Sequence, residues 1–314
     1  MHFDYGVLGD ALMEQGKLDE AVVAYQAMMD QKPSPQAYSR AAHMRWLKGD
    51  LPGAIELMSW AAGAGNPRDP ESAAWTRVRL VRYEWQACDR KRALELIDDA
   101  LAWQPDYAPA LLERGRILLA LGNITEAIEA LKQAAALIPL PEYQWTLSEA
   151  LRAADLIEEA QAVEAHLKRR GAVDDPRTLS LYLATRGENV PAALRLANTE
   201  LETRADVFTL DALAWAWMAA GDTEQAWRFA QRAITEGTQD GRLFLHAGVI
   251  ASAAGQREKA AAYLAKATVL QEMLLPSERK ILATTQSANS VLASGSKDSG
   301  TTQQSIQDPT KETQ

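Results

Sequence analysis

The sequence has little cysteine, little histidine and no long apolar run, and each shortage excludes a class of protein. The only cysteine, Cys88, leaves no partner for an intrachain disulfide. The four histidines are widely scattered and lack metal-ligand spacing, so we expect no metal site and no cofactor. The longest apolar run, residues 212–220, is far shorter than the roughly 20 residues that cross a bilayer.

Glycine and proline are also sparse, at 18 and 13 of 314 residues, which excludes collagen-like and wholly disordered chains. Basic residues are outnumbered: the formal net charge is −9, the pI is about 5.1 and the mean hydropathy is −0.26. Such a chain is repelled by phosphate backbones and anionic lipid, so neither nucleic acid nor a membrane is an expected partner. Residues 1–5 do not begin a secretory signal. The cytoplasm is therefore the default location, with a mature exported form or a fragment of a longer protein as alternatives.

What the sequence does contain is a short signature that recurs eight times: a turn residue, four positions and then alanine. Successive turn residues are 32 to 34 residues apart, except for one step of 39. The eight instances are Gly16/Ala21, Gly49/Ala54, Cys88/Ala93, Gly122/Ala127, Asp155/Ala160, Gly187/Ala192, Gly221/Ala226 and Gly255/Ala260. A nearly fixed period of this length is typical of a tandem-repeat protein.

Each repeat has the pattern of two helices joined by a tight turn. In the first, Tyr5, Leu8 and Leu12 fall on one helical face before the turn. Glycine ends that helix because it adopts the left-handed conformation without a Cβ penalty. Acidic residues such as Asp19 open the second helix, where they face the positive end of its dipole. The recurring alanine allows two helices to approach closely, and a proline such as Pro33 stops the second helix.

These residues resemble the tetratricopeptide repeat. The first unit matches its pattern at Tyr5, Leu8, Gly9, Leu12, Ala21, Tyr25 and Pro33. The resemblance covers roughly residues 3–270, and residues 38–50 and 211–217 are similar to a bacterial subgroup. It implies an all-α fold: a right-handed α-solenoid of about eight helix-turn-helix repeats, curved and extended, whose first helices line a concave groove. Family members usually hold peptides in that groove.

The repeat boundaries follow from this period. Residues 1–284 are predicted to form the superhelix, and residues 285–314, which are rich in polar side chains, a disordered tail. The units are expected at about 2–34, 35–70, 71–107, 108–140, 141–173, 174–206, 207–239 and 240–272, with a capping helix at 275–284.

No motif of an enzyme is visible in the sequence. It has no glycine-rich phosphate loop and no nucleophile elbow, and its carboxylates lie mostly on second-helix faces expected to be solvated. We therefore expect a non-enzymatic scaffold or adaptor that binds a protein or peptide in the groove. One alternative is a non-catalytic accessory that presents substrate to an enzyme on another chain or a missing domain. Another is an enzyme whose site is assembled from separate repeats.

Candidate binding residues lie on the first helices. The basic ones suit an acidic segment, although pairing with Glu84 and Glu113 would explain them equally. They are Arg40, Arg79, Arg82 and Arg116, and His43 lies on the same predicted face. Three tryptophans, Trp46, Trp85 and Trp215, are expected either in the groove or in the core.

A second cluster is predicted near the C-terminal end of the array. Asp211 and Trp215 share a helical face, and His246 falls close to the position equivalent to Asp211 in the next unit. Because stacked repeats bring equivalent positions together, we expect Asp211 and His246 to be in contact. This cluster is either a ligand-binding spot or a bridge that joins units seven and eight.

Overall fold

A computed structural model describes residues 2–298 of the chain and the side chains of residues 3–289. The described chain has seventeen α-helices, of which the first sixteen form eight antiparallel pairs. Their bounds are α1 His2–Glu14, α2 Leu18–Gln31, α3 Pro35–Leu47, α4 Leu51–Gly63, α5 Pro70–Gln86, α6 Arg90–Trp103, α7 Ala108–Leu121, α8 Ile124–Leu137, α9 Pro141–Ala153, α10 Ile157–Asp174, α11 Pro176–Arg186, α12 Val190–Thr203, α13 Val207–Ala219, α14 Thr223–Ile234, α15 Gly241–Ala253, α16 Arg257–Val269 and α17 Pro276–Asp298. A 3₁₀ turn, Gln271–Met273, precedes α17. The prediction of an all-α repeat solenoid is confirmed.

Small residues bring the two helices of each pair together. A Cβ atom added to Gly9 would lie 2.3 Å from the ring of Tyr25, and one added to Gly115 would lie 2.4 Å from the side chain of Leu131. The alanine after the turn is fully or almost fully buried in every pair. In the sixth pair this residue is Ala193, since Ala192 remains partly exposed, so the sequence-based register is wrong there by one position.

The last helix is longer than the predicted cap. It runs to Asp298, so residues 285–298, which were expected to be disordered, are helical. At the start of this helix the Glu278 carboxylate accepts a hydrogen bond from the backbone N–H of Leu275 at 2.8 Å, as in a capping box. The side chain of Gln286 donates to Thr268 at 2.7 Å, which attaches the extension to α16. Residues 299–314 of the predicted tail lie outside the described residues.

The array closes on itself instead of remaining extended. The backbone N–H of Ala205 donates to the carbonyl of Glu14 at 2.8 Å, and the Glu14 carboxylate pairs with Arg204 at 2.9 Å. The first turn of the array therefore touches the link between α12 and α13. Helices far apart in sequence therefore meet across a ring, and the concave face of the array lies inside it.

A second contact closes the ring one repeat further along. The Thr238 hydroxyl donates to the carbonyl of Leu47 at 2.7 Å, and Lys48 pairs with Glu236 at 2.7 Å. We call these two groups of contacts the seam: Glu14, Leu47 and Lys48 on one side, and Arg204, Ala205, Glu236 and Thr238 on the other. Apolar packing continues beneath it, where the rings of Trp46 and Phe208 stack 5.8 Å apart.

Candidate binding site inside the ring

Closure of the ring encloses a central chamber lined by the first helices of the repeats. Its volume is about 330 Å³, and its wall combines aromatic rings, among them Trp46 and Phe208, with charged side chains. Five arginines reach this wall from α5, α7, α11 and α15: Arg79, Arg82, Arg116, Arg177 and Arg242. Five acidic residues line the same wall, so the chamber is rich in charges of both signs: Glu14, Glu142, Asp206, Asp211 and Asp240.

Glu142, on α9, is the carboxylate on which these arginines converge. Its Oε1 atom lies 3.3 Å from a guanidinium nitrogen of Arg82 and 3.3 Å from one of Arg116. Burial favours the protonated form of Glu142, but the charges of Arg82, Arg116, Arg242 and Arg177 together outweigh it and lower its pKa. Glu142 is therefore an anion within the chamber.

Three of the chamber arginines form a shorter ion pair with a carboxylate other than Glu142. Arg82 donates to Glu113 at 2.6 Å, and the charge of that buried carboxylate is the main reason that the pKa of Arg82 is raised. The remaining pairs are Arg242–Glu278 at 2.5 Å and Arg177–Asp206 at 3.1 Å. These pairs hold the guanidinium groups in fixed positions.

A second cavity, the outer groove, adjoins the chamber. It has a volume of about 630 Å³ and lies between α1, α3 and the start of α5. On one wall Arg40 forms a bidentate pair with Asp10, with a shortest distance of 2.8 Å. Trp75, which is 42% exposed, lies on the opposite side. His43 and Arg79 line both cavities, so the outer groove and the chamber adjoin at these two side chains.

The junction between the two cavities is rich in hydrogen-bond donors. A guanidinium N–H of Arg79 donates to Nδ1 of His43 at 2.7 Å. Since a guanidinium cannot accept, Nδ1 must be the unprotonated nitrogen, and the proton of neutral His43 is on Nε2. Burial lowers the pKa of His43 well below its usual value, and Arg79 and Arg82 lower it further. Both side chains therefore present donors to the junction.

The predicted site residues fall into three groups. Arg40, His43 and Arg79 line the outer groove, whereas Trp46, Arg82, Arg116 and Asp211 line the chamber. Trp85 is buried in the core and lines neither cavity, so of its two expected positions it has the one in the core. Trp215 and His246 also lie behind the chamber wall, and their rings stack 4.1 Å apart.

The predicted contact between Asp211 and His246 is present. Nδ1 of His246 lies 2.9 Å from one carboxylate oxygen of Asp211 and 3.0 Å from the other. Both side chains are almost completely buried, and the indole N–H of Trp215 donates to Thr185 at 3.0 Å. The cluster therefore joins α13 to α15 and to α11, an arrangement suited to a bridge between repeats.

Four further wall residues do not stand out in the sequence: Glu142, Arg177, Phe208 and Arg242. Each is the second residue of a first helix, in α9, α11, α13 and α15 respectively. The signal that could have revealed them is this shared position, because equivalent positions of stacked repeats face the same interior. A search for one recurring residue type does not find this position, since the four side chains differ.

The described part of the chain offers no site for a metal ion, because no three histidine, cysteine or acidic side chains there are grouped to hold one. None of the helices described combines the length and the apolar character needed to cross a bilayer.

The repeats match known families. Two family models, both described as tetratricopeptide repeat, match residues 7–72 and 85–154. These two segments belong to the tetratricopeptide repeat family. No curated protein matches the sequence.

The chain is similar to several solved structures. A monomeric IFIT1 mutant, determined with Gppp-AAAA, superposes with a TM-score of 0.51 at 13% identity, over 95% of this chain and 74% of that one. A tetratricopeptide repeat protein from Parabacteroides merdae has a TM-score of 0.40 at 18% identity, over 80% and 100%. One from Thermus thermophilus has a TM-score of 0.39 at 19% identity, over 81% and 99%.

The tetratricopeptide fold is in general a scaffold for protein–protein interaction and in general not enzymatic. Proteins with this fold generally bind protein partners. Its repeats present side chains from many helices to one surface, so the fold itself supplies a binding face.

Proposed function

We propose that this chain is an interaction scaffold that binds a segment of a partner polypeptide in the outer groove, where an acidic side chain of that segment pairs with Arg79. The observation that carries the proposal is the state of Arg79 itself. Within the described residues no carboxylate lies within ion-pairing distance of its guanidinium group, although Arg40, Arg82 and Arg116 each have one.

The surroundings of Arg79 support a peptide segment as the occupant. The guanidinium group lies 6.0 Å from the ring centre of Trp75, an exposed aromatic that can pack against an apolar side chain of the ligand. His43 adds a neutral donor at the same place. The groove volume of about 630 Å³ accommodates several side chains, and the chamber behind it extends the surface.

The test is quantitative partner capture with the full chain. The Arg79→Gln variant should lose the partner that the parent chain retains, because the guanidinium group, which has no carboxylate partner within the described residues, is the proposed contact. Arg195→Gln is the matched control, since it removes the same charge from an exposed position on α12. Partner recovered equally by the parent chain and the Arg79→Gln variant would contradict the proposal. A captured enzyme would indicate the accessory role, with the chain presenting substrate to it.

A further inference from the structure

Glu142 is held unusually loosely for a carboxylate surrounded by arginines. Its two contacts, to Arg82 and Arg116, are both 3.3 Å long, whereas charge-assisted hydrogen bonds of this kind are typically about 2.7–2.9 Å. The side chain is 41% exposed, and this exposed surface faces the chamber. The Arg82–Glu113 pair beside it is tight, at 2.6 Å, with Glu113 only 1% exposed.

One of the arginines around Glu142 has no other carboxylate partner. Three of the four arginines that lower its pKa have a carboxylate of their own, in the pairs Arg82–Glu113, Arg177–Asp206 and Arg242–Glu278. The fourth, Arg116, has Glu142 as its only carboxylate partner among the described residues. Neutralising Glu142 would therefore leave Arg116 without a carboxylate partner among the described residues.

The other carboxylates of the wall have separate roles. Asp206 and Asp240 cap the N-termini of α13 and α15, where they accept backbone N–H groups and face the positive helix ends. Asp211 is bound to His246. Glu142 has none of these backbone or histidine contacts, so it is the carboxylate that can leave its position at least cost to the fold.

We infer that the chamber is an anion-binding site that Glu142 itself occupies in the free chain, and that an acidic side chain of the bound segment replaces Glu142 on Arg116 and Arg82. The inference rests on the proposed function, because the segment must reach the chamber through the outer groove. The exchange swaps one carboxylate for another, so the charge balance around Arg116 is kept. Glu142 is the second residue of α9, and once released its charge still lies beside the positive end of that helix.

Removing the charge of Glu142 tests the exchange. The probe is fluorescein-labelled hexaglutamate, measured by fluorescence anisotropy with the full chain. Glu142→Gln should bind it at least about tenfold more tightly than the parent chain, because no internal carboxylate then competes for Arg116. Adding Arg116→Gln to that variant should abolish the gain. Glu129→Gln, on the exposed face of α8, removes the same charge away from the chamber and should change nothing.

Each alternative outcome decides between the two proposals. Equal or weaker binding by folded Glu142→Gln, or no binding by either chain, overturns the inference. Should that variant not fold, Glu142→Asp retracts the carboxylate by one methylene and must give an intermediate gain; parent-like affinity overturns the inference as well. Hexaglutamate binding that Arg79→Gln abolishes and Glu142→Gln leaves unchanged contradicts only the anion exchange. Partner capture that is insensitive to Arg79→Gln contradicts only the proposed function.

Discussion

At the scale of single residues, the buried ionic contacts decide which side chains hold the repeats together. His246 and Asp211 are both buried, and the Trp215 ring covers the imidazole. A contact of this kind stabilises the fold mainly because its loss leaves a buried polar group without a partner. Asp211 reaches the chamber wall, whereas Trp215 and His246 lie behind it, so we interpret the cluster as a bridge between units seven and eight.

His246→Ala should lower the free energy of unfolding by about 1–3 kcal/mol, because Asp211 would remain buried without its imidazole. The measurement is urea denaturation of this variant, of Asp211→Ala and of the double variant. If the two side chains act as a pair, the double variant loses less than the sum of the single losses. A purely additive result, or lost affinity for the partner at unchanged stability, would instead indicate the ligand-binding interpretation.

Glu278 gives a second residue-scale prediction, in which pH is the variable. Burial raises its pKa, but Arg242 and the N–H of Leu275 more than offset this, so the net pKa is lowered. A carboxyl whose pKa is lower in the folded chain stabilises the fold above its unfolded pKa, and the stabilisation is lost as pH falls through the folded value. Glu278→Gln should therefore cost about 3 kcal/mol near pH 7.

The loss should shrink as the pH falls from the ordinary pKa of a glutamate through the lower folded pKa of Glu278, because Glu278 of the parent chain then becomes protonated. Urea denaturation of the parent chain and of Glu278→Gln, at pH 7 and at low pH, measures this loss of stability. Glu258→Gln, at an exposed position on α16, is the control for a lost negative charge. A loss of the same size at both pH values would show that the ionised form of Glu278 does not stabilise the fold.

At the scale of helices, the sequence predicts the repeating elements well and their ends less well. The first helices, the turns and the buried alanines can be predicted because the residue spacing that encodes them lies within a single repeat. The length of α17 is different: its extension is stabilised by α15 and α16, through Ser252–Asn289 and Thr268–Gln286. Composition alone suggested a polar tail there, since such tertiary contacts leave no periodic pattern in the sequence.

Truncation measures the contribution of this extension. A chain that ends after Ala283 loses both side-chain contacts, so it should melt at a lower temperature than a chain that ends after Asp298. Differential scanning calorimetry of the two truncated chains gives the comparison. Equal melting temperatures would show that helix α17 beyond Ala283 does not contribute to stability. Asn289→Ala in the full chain separates the Ser252 contact from the rest of the extension.

At the scale of the whole molecule, closure converts a row of helices into a chamber. The candidate site could be predicted only in part, because Arg40, Arg79, Arg82 and Arg116 lie on consecutive repeats whereas other wall residues come from distant ones. These are Arg177, Phe208 and Arg242, from α11, α13 and α15. Contacts such as Thr238–Leu47 join residues that are 191 positions apart, and no pattern within a repeat encodes them. The ring also explains why Arg116 reaches the carbonyl of Met273 at 3.1 Å.

The seam can be tested at the turn glycines. Gly49 and Gly122 both have a φ of 83°, so alanine at either position carries a similar left-handed penalty of about 1–2 kcal/mol. Only at Gly49 would the new Cβ meet the seam, 2.7 Å from the carbonyl oxygen of Gly237, whereas nothing lies within 4 Å at Gly122. Gly49→Ala should therefore lose more stability than Gly122→Ala in urea denaturation. It should also raise the radius of gyration in small-angle X-ray scattering, because the clash forces the two sides apart. Identical behaviour of the two variants would mean that the ring is not closed in solution.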